Sequence, residues 1–287
     1  MRREAPTIGA VHRWVLKVSD KLCREIAIER RRDAGSVVVQ DQVAVEEPLE
    51  ISVSHVLFDL SERTVSITMR TPGNDDELAL GYLYAEAVIA ERAQIGSVRL
   101  CSDSVSAVRV ELLGPEPDLG PLQRTGTLTS SCGVCGKTSV ASLAPTRRVA
   151  GAARIADTVL RQLPARLRQA QPAFAATGGL HGVGLFDLQG RLLAVREDVG
   201  RHNALDKLIG WGLNSGSLPW TDCVVLLSGR ASFELLQKSA MAGASVVAAV
   251  GAPSSAAIDQ AHAAGITLIG FLGERGYNLY AGAERVD

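Results

Sequence analysis

CVVLLSGRASFELLQKSAMAGASVVAAVGAPSSAAIDQAHAAGITLIGFL, residues 223–272, is the stretch on which the reading of the fold turns. Its three apolar runs, CVVLLS, SVVAAV and ITLIGFL, read as strands. FELLQKSAMAG and AAIDQAHAAG between them read as helices, each closed by a glycine. A βαβαβ succession of this kind implies a largely parallel sheet with helices packed on it. Ligands of such sheets sit at the carboxyl ends of the strands.

Working backwards, RIADTVLRQLPARLRQAQ (154–171) is helical in two pieces, because Pro164 suits the first turn of a second helix and not the interior of one. FAATGGLHGVGLFD (174–187) and RLLAVRE (191–197) read as strands, and NALDKLIGWGL (203–213) as a helix. Four strand ends then run into small or glycine-bearing turns: Asp198–Asn203, Ser228–Arg230, Gly251–Ser255 and Gly273–Gly276. Backbone N–H groups and helix N-termini in such turns can meet phosphate, so an anionic, nucleotide-like ligand is the reading they favour together. His202, between Arg201 and Asn203 at a helix start, is a better functional candidate than His181, which reads as a core histidine. The glycines of TGGLHGVG (177–184) do not fall as G-x-G-x-x-G in a strand-to-helix turn and suit close backbone approach equally well. Cys223, inside an apolar run, reads as a buried small hydrophobe.

The first half has a different grammar. After a polar arm over residues 1–10, WVLKV, REIAIER, SVVVQDQVAVEE, EISVSHVLF and TVSITMR read as strands, and SVRLCS with AVRVELL as a hairpin. One helix interrupts them within residues 71–91, with acidic residues in its first turn. GPEPDLGPLQRTGTLTSSCGVCGKTS (114–139), rich in proline and glycine, then marks a connection rather than core. The expected organisation is an α+β domain over 1–120, a mobile linker loop over 121–148, and an α/β domain over 149–287.

The linker carries Cys132 and Cys135, flanked by Gly133, Gly136 and Lys137. Glycines on either side of Cys135 leave the sulfur unobstructed, and a nearby lysine favours thiolate, the form that attacks sulfur or binds metal. A zinc site would need four ligands, yet Cys23, Cys101 and Cys223 are isolated and no two of the five histidines stand at metal-ligand spacing, so no metal is expected. A thioredoxin-type dithiol would open a helix directly after an apolar strand, whereas TGTLTS is polar. A sulfur carrier that holds a persulfide on a jointed arm suits the loop, and a surface turn with idle cysteines stays open beside it.

The 287 residues are 46% hydrophobic and 21% charged, with net charge −1, which gives no support to nucleic-acid or membrane-surface binding through a global field. Five cysteines without framework spacing point to a reducing compartment. The N-terminus lacks the apolar core of a signal peptide and no run is long enough to span a bilayer, so a cytoplasmic location is expected.

Taken together, SSCGVCGK, TGGLHGVGLFD, VREDVGRHNALDK, LSGRASFELLQK, AAVGAPSS and GFLGERGYNLY resemble the formate dehydrogenase accessory sulfurtransferase family, FdhD/NarQ. The resemblance is strongest from Ser130 to Tyr280. It implies a cytoplasmic, homodimeric carrier whose C-terminal domain is a cytidine deaminase-like three-layer sandwich. Such a carrier takes sulfur from a cysteine desulfurase and passes it to the molybdenum cofactor, bis-molybdopterin guanine dinucleotide, before insertion into formate dehydrogenase. It further implies Cys132 as the persulfide-bearing residue, Cys135 as its partner, and Phe271, Leu272, Gly273, Glu274, Arg275 and Gly276 as the segment that meets the guanine dinucleotide, where GDP-like ligands could also sit. Arg201, His202 and Arg230 are added on physical grounds, since at neighbouring strand ends they could neutralise pyrophosphate. Deaminase chemistry does not come with the fold: His181 is followed by Gly182 and Val183, not by the glutamate of H-x-E, and no P-C-x-x-C comes after it. The alternative left open is a non-catalytic chaperone that binds the cofactor and the apo-enzyme.

Overall fold

The computed structural model describes residues 22–33, 35–58, 60–101, 106–119, 148, 149, 151 and 153–287. The expected polar arm, the WVLKV strand, and Cys132 and Cys135 with nearly all of their loop lie outside the described residues. In the first half, β1 (Cys23–Arg32) and β2 (Gly35–Ala44) pair as an antiparallel ribbon. Next come β3 (Glu47–His55), β4 (Leu60–Arg70), helix α1 (Asp75–Ala85), β5 (Ile95–Cys101) and β6 (Ala107–Leu112), whose strands form a sheet in the order β4-β3-β6-β5. Helix α1 is shorter than the 71–91 stretch: the chain leaves it at Glu86, and Ala87 takes a positive φ of 61°.

The second half begins with three short helices, α2 (Asp157–Leu160), α3 (Leu163–Gln169) and α4 (Pro172–Thr177). Pro164 falls in the first turn of α3, as its fixed φ and missing N–H require. FAAT, expected to open a strand, is instead the body of α4. Pro172 sets the first turn, and the Glu197 carboxylate accepts from the N–H groups of Ala173 (3.1 Å) and Phe174 (2.8 Å). Then follow β7 (His181–Asp187), β8 (Leu192–Asp198), α5 (Arg201–Ser215), β9 (Cys223–Leu227), α6 (Phe233–Met241), β10 (Val246–Ala249), α7 (Ser255–Ala264), β11 (Thr267–Gly273) and β12 (Gly276–Ala281). ITLIGFL is therefore not the last strand.

The second-half strands line up as β12-β11-β10-β9-β7-β8. β9, β10 and β11 are parallel, as the βαβαβ reading requires. The expectation of a mostly parallel sheet is corrected at both flanks, where β12, β7 and β8 each pair antiparallel. Residues 188–191 and 274–275, which join β7 to β8 and β11 to β12, are too short for the crossover that a parallel pair needs. Side chains alternate across this sheet. Leu185, Val225, Leu227, Val247 and Leu268 share a core with Leu205, Leu208, Leu235, Leu236 and Ala261 of α5 to α7. Phe186, Val224, Leu226, Val246 and Ile269 face the other way, onto Leu160, Leu163 and Leu167 of α2 and α3. Helices on both faces make three layers.

Helices α1 and α5 tie the halves together, and one continuous core runs from Leu49, Ile51 and Val108 through Leu78 and Leu83 to Leu205 and Leu208. Their crossing is close enough that a Cβ at Gly81 would stand 1.8 Å from the Asp206 carbonyl oxygen, and one at Gly210 would stand 1.9 Å from that of Glu77. Buried polar links surround it. Arg196 donates to Glu77 at 2.6 Å, and Lys238 meets both oxygens of Asp206 at 2.8 and 2.9 Å. Among the described residues no helix is long and apolar enough to cross a membrane.

Candidate functional site

Strand direction gathers the candidate residues on one edge of the layered sheet. β8, β9, β10 and β11 all end there, and β7, which runs against β9, begins there with His181 opposite Asp198. Helices α5, α6 and α7 start from the same edge. The Asp198 carboxylate anchors it. It accepts from the N–H groups of Gly200 (2.8 Å) and Thr71 (3.1 Å) and lies 2.6 Å from Lys207 Nζ, which also donates to the Thr71 carbonyl at 2.8 Å. Asn203 Nδ2 donates to the Met69 carbonyl at 2.8 Å. The run DVGRHNALDK thus seats the start of α5 on the end of β4, and three of its polar side chains serve that junction.

The turns lock onto one another. Gly251 N–H donates to Gly229 O (2.9 Å), Ala231 N–H to Ala252 O (3.1 Å), Ser254 N–H to Ala231 O (3.0 Å), and Phe271 N–H to Gly251 O (3.1 Å). Several N–H groups that the strand-end reading offered to phosphate are therefore committed to the scaffold. What the edge presents instead is side-chain charge. Arg201 and Arg230 make no hydrogen bond or ion pair among the described residues, and Arg201 Nε is buried without any hydrogen-bond partner. A buried guanidinium nitrogen left unsatisfied is costly and calls for an acceptor.

His202 behaves differently from its sequence neighbours. It is only 6% exposed, and its Nε2 lies 2.9 Å from Glu234 Oε2 and 3.4 Å from Ser232 Oγ. The side chain expected to help neutralise pyrophosphate thus links α5 to α6. His181, read as a core histidine, is half-buried at this edge, and among the described residues no hydrogen bond holds its ring. Burial, then the charges of Arg201 and His202, with Arg230 also contributing, hold its pKa below the ordinary histidine value against the opposing charge of Asp198. Sequence spacing could not mark it, because its importance comes from β7 running backwards.

Phe271 to Gly276 are split by the hairpin. Phe271 is 52% exposed and held at a positive φ of 54°, presenting an aromatic face at the edge. Leu272 points the other way, into the core against α2 and α3, so it supports the turn from beneath. Gly273 pairs with Gly276, which leaves Glu274 and Arg275 as an exposed two-residue turn.

Cys23 and Cys223 are poor nucleophiles. Burial, with the charges of Asp222 and Asp187, pushes Cys223 up to about 11, and burial followed by the Glu197 charge raises Cys23. The shift of Cys223 corresponds to about a hundredfold less thiolate at neutral pH. Alkylation by iodoacetamide, followed by peptide mapping, is expected to label Cys223 of the native protein about a hundredfold more slowly than that of the urea-unfolded chain. Equal rates would contradict the burial.

The fold defines a three-layer α/β protein, and at the carboxyl edge of its sheet Arg201 and Arg230 make no hydrogen bond or ion pair among the described residues. More particularly, the chain belongs to the FdhD/NarQ family, whose model matches residues 44–287. It is 42% identical over 279 residues to the sulfur carrier protein FdhD of Nocardia farcinica, covering 94% of this chain and 96% of that one. With the sulfur carrier protein FdhD of Mycobacterium tuberculosis it shares 44% identity over 272 residues, 90% of this chain and 96% of the other. Its fold is similar to the crystal structure of a protein assigned as a formate dehydrogenase accessory protein from Desulfotalea psychrophila, with a TM-score of 0.74 at 22% identity over 93% of this chain and 100% of that one.

Proposed function

We propose that this protein is a cytoplasmic sulfur carrier that matures formate dehydrogenase. The Cys132 thiolate attacks the terminal sulfur of a cysteine desulfurase persulfide; the donor S–S bond breaks, the donor cysteine leaves as thiolate, and Cys132 becomes a persulfide. That exchange is redox-neutral and governed by thiolate fraction and access. The Cys135 thiolate then attacks the inner sulfur of the Cys132 persulfide; the S–S bond breaks, the outer sulfur leaves as hydrosulfide to ligate molybdenum of the substrate, bis-molybdopterin guanine dinucleotide, and the Cys132–Cys135 disulfide that forms is returned to two thiols by a cellular dithiol reductant. The pyrophosphate of that substrate, or of a GDP-like ligand, lies against Arg201 and Arg230, and the base stacks on Phe271 near the Glu274–Arg275 turn. The layered domain would be a deaminase-like fold reused as a nucleotide holder, and the working unit a homodimer.

The observation that carries this reading is membership of the FdhD/NarQ family, with close relatives that bear the name sulfur carrier and a Cys132-x-x-Cys135 motif in this sequence. The unsatisfied Arg201 guanidinium supports the anionic part of it. Incubation with a cysteine desulfurase and cysteine is expected to add sulfur to the protein, visible by intact-mass analysis and removed by dithiothreitol. A protein that stays at its native mass refutes the carrier reading.

A further inference from the structure

We infer that His181 is a further binding residue of the carboxyl edge, donating as imidazolium to a pyrophosphate diester seated between Arg201 and Arg230, so that the anion is bound together with one proton. This rests on the anionic ligand of the proposed function and names what recognises it.

The geometry comes first. His181 opens β7 opposite Asp198, at the edge where α5 and the turn after β9 bring Arg201 and Arg230. Its ring lies over Gly229, where an added Cβ would fall 3.3 Å from Nδ1 and 3.4 Å from Cε1, so glycine at that position leaves the imidazole its room. No hydrogen bond among the described residues occupies either ring nitrogen. Among the described residues, the charged and titratable groups that face it are Arg201 and His202 from α5, Arg230 after β9, and Asp198 from β8. His202 is engaged with Glu234, which leaves His181 the histidine able to turn to a ligand.

Without a ligand, burial first and then the charges of Arg201, His202 and Arg230 hold the pKa of this imidazole below the ordinary histidine value. A pyrophosphate diester brings negative charge that does not titrate near neutrality. It reverses the local field, raises the His181 pKa and draws a proton onto the ring, which then donates to a phosphate oxygen. The sign follows: between the low free value and the raised bound value affinity increases as pH falls, by up to about tenfold per pH unit.

The probe is GDP-mannose, a guanine nucleotide whose pyrophosphate is esterified at both ends. Calorimetric titration of the full-length protein, in buffers of different ionisation enthalpy between about pH 6 and pH 8, counts the protons exchanged. Wild type is expected to bind with net proton uptake. His181→Asn is expected to bind more weakly, with no uptake and a flat pH profile, whereas Arg230→Gln is expected to lose affinity and keep the uptake. Binding by wild type without proton exchange, or unchanged uptake in His181→Asn, overturns the role of His181 and leaves the anion site standing. Failure of wild type to bind GDP-mannose at all overturns both.

Discussion

Cys132→Ala is expected to give a folded protein that takes up no sulfur and fails to activate formate dehydrogenase, with activity down on the order of a hundredfold or more. The reason is elementary: alanine has no atom that can attack a sulfane sulfur or hold it, and an interaction made only in the reacting state is lost entirely. Neither Cys23 nor Cys223 can substitute, since burial holds both thiols up in the protonated form. Cys135 stands three residues away in the chain and is the fair internal rival. The pair of variants decides between them. Cys135→Ala is expected to keep the dithiothreitol-sensitive adduct, and Cys132→Ala to lose it. Formate dehydrogenase activity should be measured in cells that lack the endogenous carrier and express each variant, with thermal melts confirming that each folds. Full activity from Cys132→Ala would remove the central nucleophile from the mechanism and favour a cofactor-binding chaperone.

The second large effect is structural. Gly210→Ala is expected to destabilise the protein by about 3 kcal/mol or more, since the new methyl cannot be placed without moving a helix. The carbonyl oxygen of Glu77 would stand 1.9 Å from it, and backbone offers no flexible end to swing aside. Separating α1 from α5 also strains the Arg196–Glu77 pair, and with it the seat of α5 on which Arg201 is mounted. For a chain of this length the loss corresponds to roughly 6–12 °C in Tm. Asn214→Ala, on the exposed end of the same helix, is the control, and is expected to stay within ~0.5 kcal/mol of wild type. Differential scanning calorimetry compares the three proteins. A Gly210→Ala protein that melts with wild type would mean that the two halves do not share this crossing.

The apolar runs that became β9, β10 and β11 were plain because a strand buried on both faces has little freedom in composition. YNLY carries no clear strand signal in sequence, since β12 is a short edge strand whose pairing with β11 is interrupted by register shifts. FAAT reads as strand in sequence because the acceptor that caps α4 is Glu197, from β8, more than twenty residues away in the chain. At the edge, Arg201, His202 and Arg230 were visible as charges at strand ends. Their partners were not. His202 turns to Glu234 on α6, whereas Arg201 finds no partner among the described residues, and that difference has no local signature.

Composition and order alone determined the alternating strands and helices of the second half, the turns at their carboxyl ends, and a cysteine pair in a glycine-rich connection, because periodicity, turn chemistry and residue type are properties of neighbours in the chain. Only the tertiary structure decided that β7 runs backwards and carries His181 to the edge, that one core joins both halves across Gly81 and Gly210, and which cations find no partner among the described residues. Those outcomes depend on contacts between residues tens of positions apart, set by strand direction and helix packing, which a chain specifies only once every segment has found its neighbours.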